Sequence, residues 1–432
     1  MRGRIVIISA GVGAGHDGPA DELARRLLAR GWQVDRRDGL TILPGSWGGW
    51  LRNLYLAHVR TAPRSWGWVL AASGGGWLHH LVQRLLDRLT RRTSALVGGP
   101  SDLVVSTYPL VSQLLGRLRA AGELECPVVT YLTDMSMHPL WCHPGVDHVL
   151  ALGPVPAREA RARGALSVHQ CAPAVAPEFT GLVARTDGQA TRRELGVPER
   201  AIAALVTSGS AGTGDVFATA RDVAALGAFP IVLCARNQRL LRKVQRAGFG
   251  RALSWTDRIP ALLEASDVVV QNAGGLASLE ALVARRPVLS YRVLPGHGEA
   301  NAQALDAGGL APWIRSRAAL RAALSSGRNA PPGGIPTSAA SAVARLRAAP
   351  DPAEVLEDIA LGGSGGLRTM PDATLSPGQG LAGAESHAAA RVGPWVKTGG
   401  LGGGPPRVSV GGVSVGGVSA ADDVDPHPGT KR

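Results

Sequence analysis

Asp267-Val-Val-Val-Gln-Asn272-Ala-Gly-Gly275-Leu-Ala-Ser278-Leu-Glu280-Ala-Leu282 reads as a buried strand that ends in Asn-Ala-Gly-Gly and enters a helix with a carboxylate in its first turns. The next apolar run, Arg286-Pro-Val-Leu-Ser-Tyr-Arg292, is a second strand, and it ends in Leu294-Pro-Gly-His297-Gly-Glu299-Ala-Asn301. Strands that alternate with helices form a parallel sheet, and loops at the carboxyl ends of neighbouring strands converge on one spot. Working outward, strands are expected at 201–207, 231–235 and 252–255, with a helix at 216–225. The same alternation occupies the first part of the chain: strands at 4–10, 33–37, 102–107, 128–134 and 148–152, with helices at 20–30 and 110–121. The expected fold is therefore α/β, two Rossmann-like doubly wound domains with a cleft between them. Residues 1–175 form the first and 176–349 the second, and the two prolines of 172–177 mark the crossing. A short returning helix is expected at 350–361. Beyond it, 362–432 is rich in glycine, repeats Val-Ser-Val-Gly-Gly and reads as a disordered tail.

Composition removes several classes. With 432 residues, 45% hydrophobic and 18% charged, the chain is long enough for two or more cores. No apolar run approaches the roughly 18–20 residues of a membrane-spanning helix. Cys126, Cys142, Cys171 and Cys234 are scattered, with neither a disulfide framework nor metal-ligand spacing, so no metal site is expected. The net charge of +13 is carried almost wholly by arginine, since Lys243, Lys397 and Lys431 are the only lysines. Part of that excess reads as the codon bias of a GC-rich genome, and no nucleic-acid-binding motif accompanies it. The charge belongs to the folded part: +16 up to residue 350, −3 from Asp351 on. The short apolar stretch after the basic start reads as a strand and not a signal peptide, which, with unpaired cysteines, points to the cytoplasm.

Two glycine turns follow first strands. Ser9-Ala-Gly-Val-Gly-Ala-Gly-His16-Asp-Gly-Pro19 places Gly13, Gly15 and Gly18 in the spacing of a dinucleotide fingerprint, with Asp35 or Asp38 about twenty residues on. That reading would make the chain an NAD-dependent oxidoreductase or a nucleotide-sugar epimerase. The alternative is a general base: His16 at a strand-to-helix turn, an imidazole able to take a proton near neutral pH, unless it merely caps the helix. In the second turn, Ser208, Gly209, Ser210, Gly212, Thr213 and Gly214 offer backbone N–H groups and hydroxyls at a helix N-terminus. That combination suits a diphosphate or serves as an ordinary connecting loop.

The stretches 272–280 and 295–301 resemble the donor half of GT-B glycosyltransferases, most of all the monogalactosyldiacylglycerol synthases and their bacterial relatives. A more distant resemblance is to the enzyme that adds N-acetylglucosamine to lipid I. Gly13-Ala-Gly-His16 is similar to that family's glycine turn with histidine, and Tyr131-Leu-Thr-Asp134 with His138-Pro-Leu-Trp141 to its Thr-Asp and His-Pro-x-Trp segment. The resemblance spans roughly 4–325. The chain departs from it in having Ala172-Pro-Ala-Val175 where lipid-I-type enzymes have Asn-Pro-Val-Arg, and Pro295-Gly-His297-Gly where galactolipid synthases have Pro-Gly-Gln-Glu.

The resemblance implies an inverting, metal-independent hexosyltransferase using a UDP-sugar, with no other cofactor. Residues 208–214 would cradle the diphosphate. Arg258 and Ile259 would meet the uracil and Glu280 the ribose. Asn272, Gly274, Gly275 and Ser278 would form the donor loop, and His297, Glu299 and Asn301 would contact phosphate and sugar. His16 would deprotonate the acceptor, with Asp134 as its orienting partner or as an alternative base. Gly13, Gly15, His138 and Trp141 would lie on the acceptor side.

Five of the ten tryptophans lie between 47 and 77. Trp47, Trp50 and their neighbours, then Trp77 and the leucines after it, follow helical spacing, and Arg84, Arg88 and Arg91 lie on the second stripe's opposite face. Tryptophan with arginine reads as an interfacial surface for anionic membrane, the rival being two helices packed on the sheet. The expected function is sugar transfer to a diacylglycerol-like or polyprenyl-linked lipid acceptor at the inner face of the cell membrane. A soluble natural-product glycosyltransferase is the alternative of the same fold.

Overall fold

The computed structural model describes residues 2–11, 14–43, 76–180, 188–209, 212–327 and 337–363. Twelve strands are found among them: β1 (Arg4–Ser9), β2 (Gln33–Asp38), β3 (Leu103–Ser106), β4 (Val128–Tyr131), β5 (His148–Ala151), β6 (Ser167–Gln170), β7 (Ile202–Thr207), β8 (Ala228–Leu233), β9 (Arg251–Leu253), β10 (Val268–Gln271), β11 (Val288–Tyr291) and β12 (Trp313–Ile314). They make two parallel six-stranded sheets, ordered β2-β1-β3-β4-β5-β6 and β12-β11-β10-β7-β8-β9. Strand order reverses beside β1 in the first sheet and between β7 and β10 in the second. Doubly wound sheets bind ligands at such reversals, because the loops leave to opposite faces and open a crevice.

The central strands are apolar on both faces because helices cover both. Ile5 and Ile7 of β1 point into a core that also holds Leu23, Leu27, Leu279, Leu282 and Leu356. Val6 and Ile8 point into a second core with Val104, Leu115 and Trp141. The far face of the second sheet buries Val206, Val232 and Val270. The first of these cores runs through both halves, and each fully buried Leu or Ile in it contributes roughly 1.5–3 kcal/mol.

Helix Pro352–Ala360 returns across the first half and packs against helix Ala14–Ala29. Asp351 caps it by accepting from Ala353 N–H at 2.7 Å. Arg26 fixes its start, donating to Asp351 Oδ2 at 3.0 Å and to the Val175 carbonyl at 2.8 Å. Arg30 meets Glu357 Oε2 at 2.5 Å, and Arg2 pairs with the same carboxylate.

Three differences from the sequence expectations have physical causes. The first helix begins at Ala14, not at residue 20, so Gly15, His16, Gly18 and Pro19 are helical despite being turn formers. Gly18 makes a close helix contact: a Cβ there would stand 2.6 Å from Leu276 Cδ2 of the second half, the end of a flexible side chain. Edge strands β6 and β12 have no apolar run to announce them, the one being only partly buried throughout and the other two residues long.

Candidate active site

A cleft of about 520 Å³ lies between the halves, lined by His16, Asp134, Ser208, Ser278, Glu280 and His297 among others. His16 sits in the first turn of helix Ala14–Ala29, beside the strand reversal at β1 and β3. Its Nδ1 lies 2.9 Å from the Thr107 carbonyl and 3.0 Å from Thr133 Oγ1. A carbonyl only accepts, so Nδ1 carries the proton and Nε2 is left as the basic nitrogen. Thr107 Oγ1 donates back to the His16 carbonyl at 3.1 Å, locking helix to loop. Tyr108 packs edge-on against the ring at 5.1 Å, and Trp141 tilts over it at 6.1 Å. Burial lowers the His16 pKa, and the nearby Asp134 charge offsets this only in part. The ring is neutral at pH 7 and ready to accept a proton.

Asp134 is not the orienting partner of His16; the Thr107 carbonyl holds that place. The Asp134 carboxylate instead lies 3.4 Å from His297 Nε2, across the cleft. Burial alone would push the Asp134 carboxyl up, but His297, then His16 and Asn301, outweigh it and hold it below the usual range. Asp134 in turn raises the His297 pKa against the effect of burial. Asn301, fully buried on the same helix as His297, joins the halves. Its Oδ1 accepts from Met135 N–H at 3.0 Å, Ser136 N–H at 3.1 Å and Ser136 Oγ at 3.1 Å. Its Nδ2 donates to the Ala273 carbonyl at 3.2 Å.

The opposite wall is built on the reversal between β7 and β10. Gly209, Gly212 and Gly214 all have positive φ, which a Cβ would strain. Asn272 Nδ2 holds the Thr213 carbonyl at 2.9 Å, so the loops after β7 and β10 are tied together. Gln271 Oε1 accepts from Ala273 N–H at 2.8 Å and Gly274 N–H at 2.5 Å, shaping the entry to helix Leu276–Val283. Ser208 Oγ and Ser278 Oγ are buried at the cleft wall with no hydrogen-bond partner among the described residues. An orphaned buried hydroxyl costs about 1–3 kcal/mol, so two on one wall mark a place for a polar ligand. Glu280, also on the wall, has its pKa raised to about 8 by burial and by the Glu178 charge. Its carboxyl is therefore mostly protonated at pH 7 and can both donate and accept.

The structure brings Gly15, His16, Asp134, His138, Trp141, Ser208, Gly209, Thr213, Ile259, Gly274, Gly275, Ser278, Glu280 and His297 to the cleft. Gly212, Gly214 and Asn272 shape the loops behind it. Arg258 is turned away, forming a bidentate pair with Glu194 at 2.7–2.8 Å. Glu299 accepts from Gly296 N–H at 3.1 Å and so caps its own helix. Trp141 is buried, a cleft wall and not a membrane-facing residue. His138 Nδ1 accepts from Leu140 N–H at 3.2 Å, and burial pushes its pKa to about 4, so it is a neutral cap. Arg84, Arg88 and Arg91 are exposed on helix Gly76–Val97. The side chain of Trp77 on that helix, and Gly13, Trp47, Trp50 and Ser210, lie outside the described residues, as does everything after 363. The sequence reading missed Trp255, which is 49% exposed on the cleft wall after β9 with Arg236 stacked on it at 4.8 Å. An aromatic at the carboxyl end of a strand was the available signal.

The dinucleotide reading fails on the same geometry. Gly15 and Gly18 are inside a helix, and Gly18 serves helix packing. Asp35 is held by Arg4 at 2.9 Å, while Asp38 Oδ1, at the end of β2, accepts from Leu40 N–H at 2.9 Å and Gly11 N–H at 3.3 Å.

Residues 49–167 match the monogalactosyldiacylglycerol (MGDG) synthase family. Monogalactosyldiacylglycerol synthase 1, chloroplastic, of Arabidopsis thaliana is 27% identical over 218 residues, 46% of this chain and 40% of that protein. A processive diacylglycerol beta-glucosyltransferase of Bacillus cereus is 22% identical over 222 residues, 50% of this chain and 56% of that protein. The chain thus spans about half the length of the curated relatives it matches. The crystal structure of Arabidopsis thaliana UGT89C1 complexed with UDP superimposes with a TM-score of 0.53 at 12% identity, over 84% of this chain and 99% of that one. The fold is GT-B, and part of the chain is similar to the monogalactosyldiacylglycerol synthase family.

Proposed function

We propose that the protein is an inverting hexosyltransferase that moves a sugar from a UDP-sugar to the hydroxyl of a diacylglycerol-like lipid at the cytoplasmic face of a membrane. One observation carries this reading: a neutral, oriented histidine on one wall faces orphaned hydroxyls and glycine loops on the other, within one cleft. His16 Nε2 takes the proton of the acceptor hydroxyl. The freed oxygen attacks the anomeric carbon from the face opposite the diphosphate, the C–O bond to the diphosphate breaks, and configuration inverts. The amides of the loop after β7, Ser208 Oγ and the N-terminus of helix Val216–Ala225 stabilise the departing diphosphate. Trp255 and Ile259 form a wall for the uracil in place of Arg258, and Glu280 meets the ribose. The Asp134–His297 pair spans the cleft where donor sugar and acceptor meet, and His297, whose hold on a proton Asp134 strengthens, lies beside the phosphates.

Lipid as the acceptor is supported by the named activities of the matched relatives and by the exposed arginine row on helix Gly76–Val97. No helix among the described residues is long and apolar enough to cross a membrane. The test is incubation with a panel of UDP-sugars and diacylglycerol dispersed in detergent, followed by mass spectrometry of the lipids. A hexosyl-diacylglycerol, with UDP released only when acceptor is present, is the expected result. UDP released with a water-soluble aglycone and never with lipid would replace the acceptor class, and reduction of NAD would replace the reaction.

A further inference from the structure

The donor half carries a second basic surface. Between Arg236 and Arg251 the chain has six cations (Arg236, Arg239, Arg242, Lys243, Arg246 and Arg251) and no Asp or Glu, and all six are exposed. Helix Gln238–Ala247 sorts them sharply. At about 100° per residue, Arg239, Arg242, Lys243 and Arg246 fall within an arc of about 100°, while Leu240, Leu241 and Val244 face the sheet. Several arginines elsewhere in the described residues are paired with carboxylates: Arg4 with Asp35, Arg26 with Asp351, Arg119 with Asp147, Arg192 with Asp267, Arg292 with Asp222. Arg239, Arg242 and Arg246 have no carboxylate partner among the described residues, and Lys243 lies over the Phe217 ring at 4.0 Å.

This row is anchored to the cleft but extends away from it. Asn237, which caps the helix by accepting from Leu240 N–H at 3.0 Å, also donates to the Gly212 carbonyl at 3.1 Å in the donor loop. From that point ten helical residues carry the charge about 15 Å outward, too far for all of it to serve one diphosphate. Unpaired cations in one plane complement an extended sheet of negative charge.

We infer that helix Gln238–Ala247 is a docking face for anionic lipid headgroups, so that the donor half touches the membrane surface as well as the acceptor half. This rests on the proposed action at a lipid surface, but its test is separable from that of sugar transfer. In the full chain, Arg239, Arg242 and Arg246 are replaced together by Gln, and co-sedimentation is measured with phosphatidylcholine vesicles containing phosphatidylglycerol and with phosphatidylcholine alone. Each cation near an anionic surface is worth roughly fivefold in partitioning, so the triple variant is expected to bind phosphatidylglycerol vesicles more than tenfold more weakly. The parent's binding is expected to fall steeply with salt. The corresponding triple Lys variant is expected to bind like the parent. Transfer to detergent-dispersed diacylglycerol is expected to stay unchanged in both, while KM for diacylglycerol in vesicles rises in the Gln variant only. Unchanged vesicle partitioning of the Gln variant would overturn the inference. A lowered melting temperature would also overturn it by making these arginines structural, as would tighter binding of duplex nucleic acid than of vesicles. Lost vesicle binding with no sugar transfer by any form would leave the docking face standing and remove the proposed reaction; transfer with unaltered docking would do the reverse.

Discussion

His16 owes its chemistry to a backbone carbonyl. Because the Thr107 carbonyl can only accept, the imidazole tautomer is fixed with Nε2 basic, and burial keeps the ring neutral. Replacing His16 by Ala should cut turnover by roughly 100- to 10,000-fold with UDP affinity little changed. The pH profile gives a second readout. A base with a lowered pKa stays unprotonated further into acid, so the acid limb of kcat/KM should fall below the ordinary histidine value of about 6.5. A limb above that value would mean that another group is the base. Glu280 works in the opposite direction. Its folded pKa, about 8, exceeds the model-peptide value of 4.5, so the native state binds the extra proton and stability falls as pH rises between the two. Glu280→Gln should leave the unliganded protein no more stable at pH 4 and more stable by roughly 2–3 kcal/mol at pH 9, the full shift being discounted for cleft water. Equal melting of both forms across that range would contradict the protonated carboxyl. That His16 and Glu280 line the cleft was legible in the sequence because each stands at a fixed offset from a glycine turn. The pairing of Asp134 with His297 was not, since the two residues are 163 positions apart and only the closed pair of sheets brings them together.

At the level of elements, helix Ala14–Ala29 carries His16, the proposed base, at one end and packs against elements of both halves along its length. Sequence patterning found the strand before it and the apolar face after it, but placed its start six residues late. Glycine and proline report local preference only: the segment is helical all the same, with Leu276 occupying the space a Cβ on Gly18 would need. That contact makes a graded prediction. In Gly18→Ala the new Cβ meets only the end of a flexible leucine, and the gain in helix propensity, about 1 kcal/mol, offsets the crowding. Stability to urea should change by less than about 1 kcal/mol. Gly18→Leu overfills the contact and should cost roughly 1–3 kcal/mol, with part of that recovered by Leu276→Ala in the same chain. No loss in the Leu variant would mean that the two helices are free to separate. Strands β6 and β12 mark the other limit of patterning. An edge strand is only half-buried and a two-residue strand has no period, so neither leaves an apolar signature to read.

Across the whole molecule, the two sheets were predictable as separate units; they share an apolar core, and on the cleft side they are also joined by a small set of polar atoms centred on Asn301. Its oxygen satisfies three donors of the first half and its amide nitrogen serves the Ala273 carbonyl of the second, all away from solvent. Two substitutions separate these roles. Asn301→Ala removes the acceptor and leaves Met135 N–H and Ser136 N–H buried and unpaired, a loss of roughly 1–3 kcal/mol for each orphaned group. That loss should vary little with pH, since no charge is added. Asn301→Asp keeps an oxygen for the same donors but sets a second carboxylate beside Asp134, with His297 as the nearest cation for both. Like charges so close cannot both ionise readily, so one carboxyl of the pair should hold its proton to higher pH. Its folded pKa is then raised above its unfolded value, and the sign follows: the variant approaches the wild type in acid and loses stability as pH climbs through neutrality. Melting temperature measured from pH 4 to pH 9 should therefore give a flat offset for the Ala variant and a widening one for the Asp variant. Donor binding should weaken in parallel with the Asp variant's loss, because the same charge lies beside the place proposed for the phosphates. An Asp variant that melts with the wild type at pH 9 would mean that the halves are not joined through this residue, and the cleft would then be free to open without breaking these bonds.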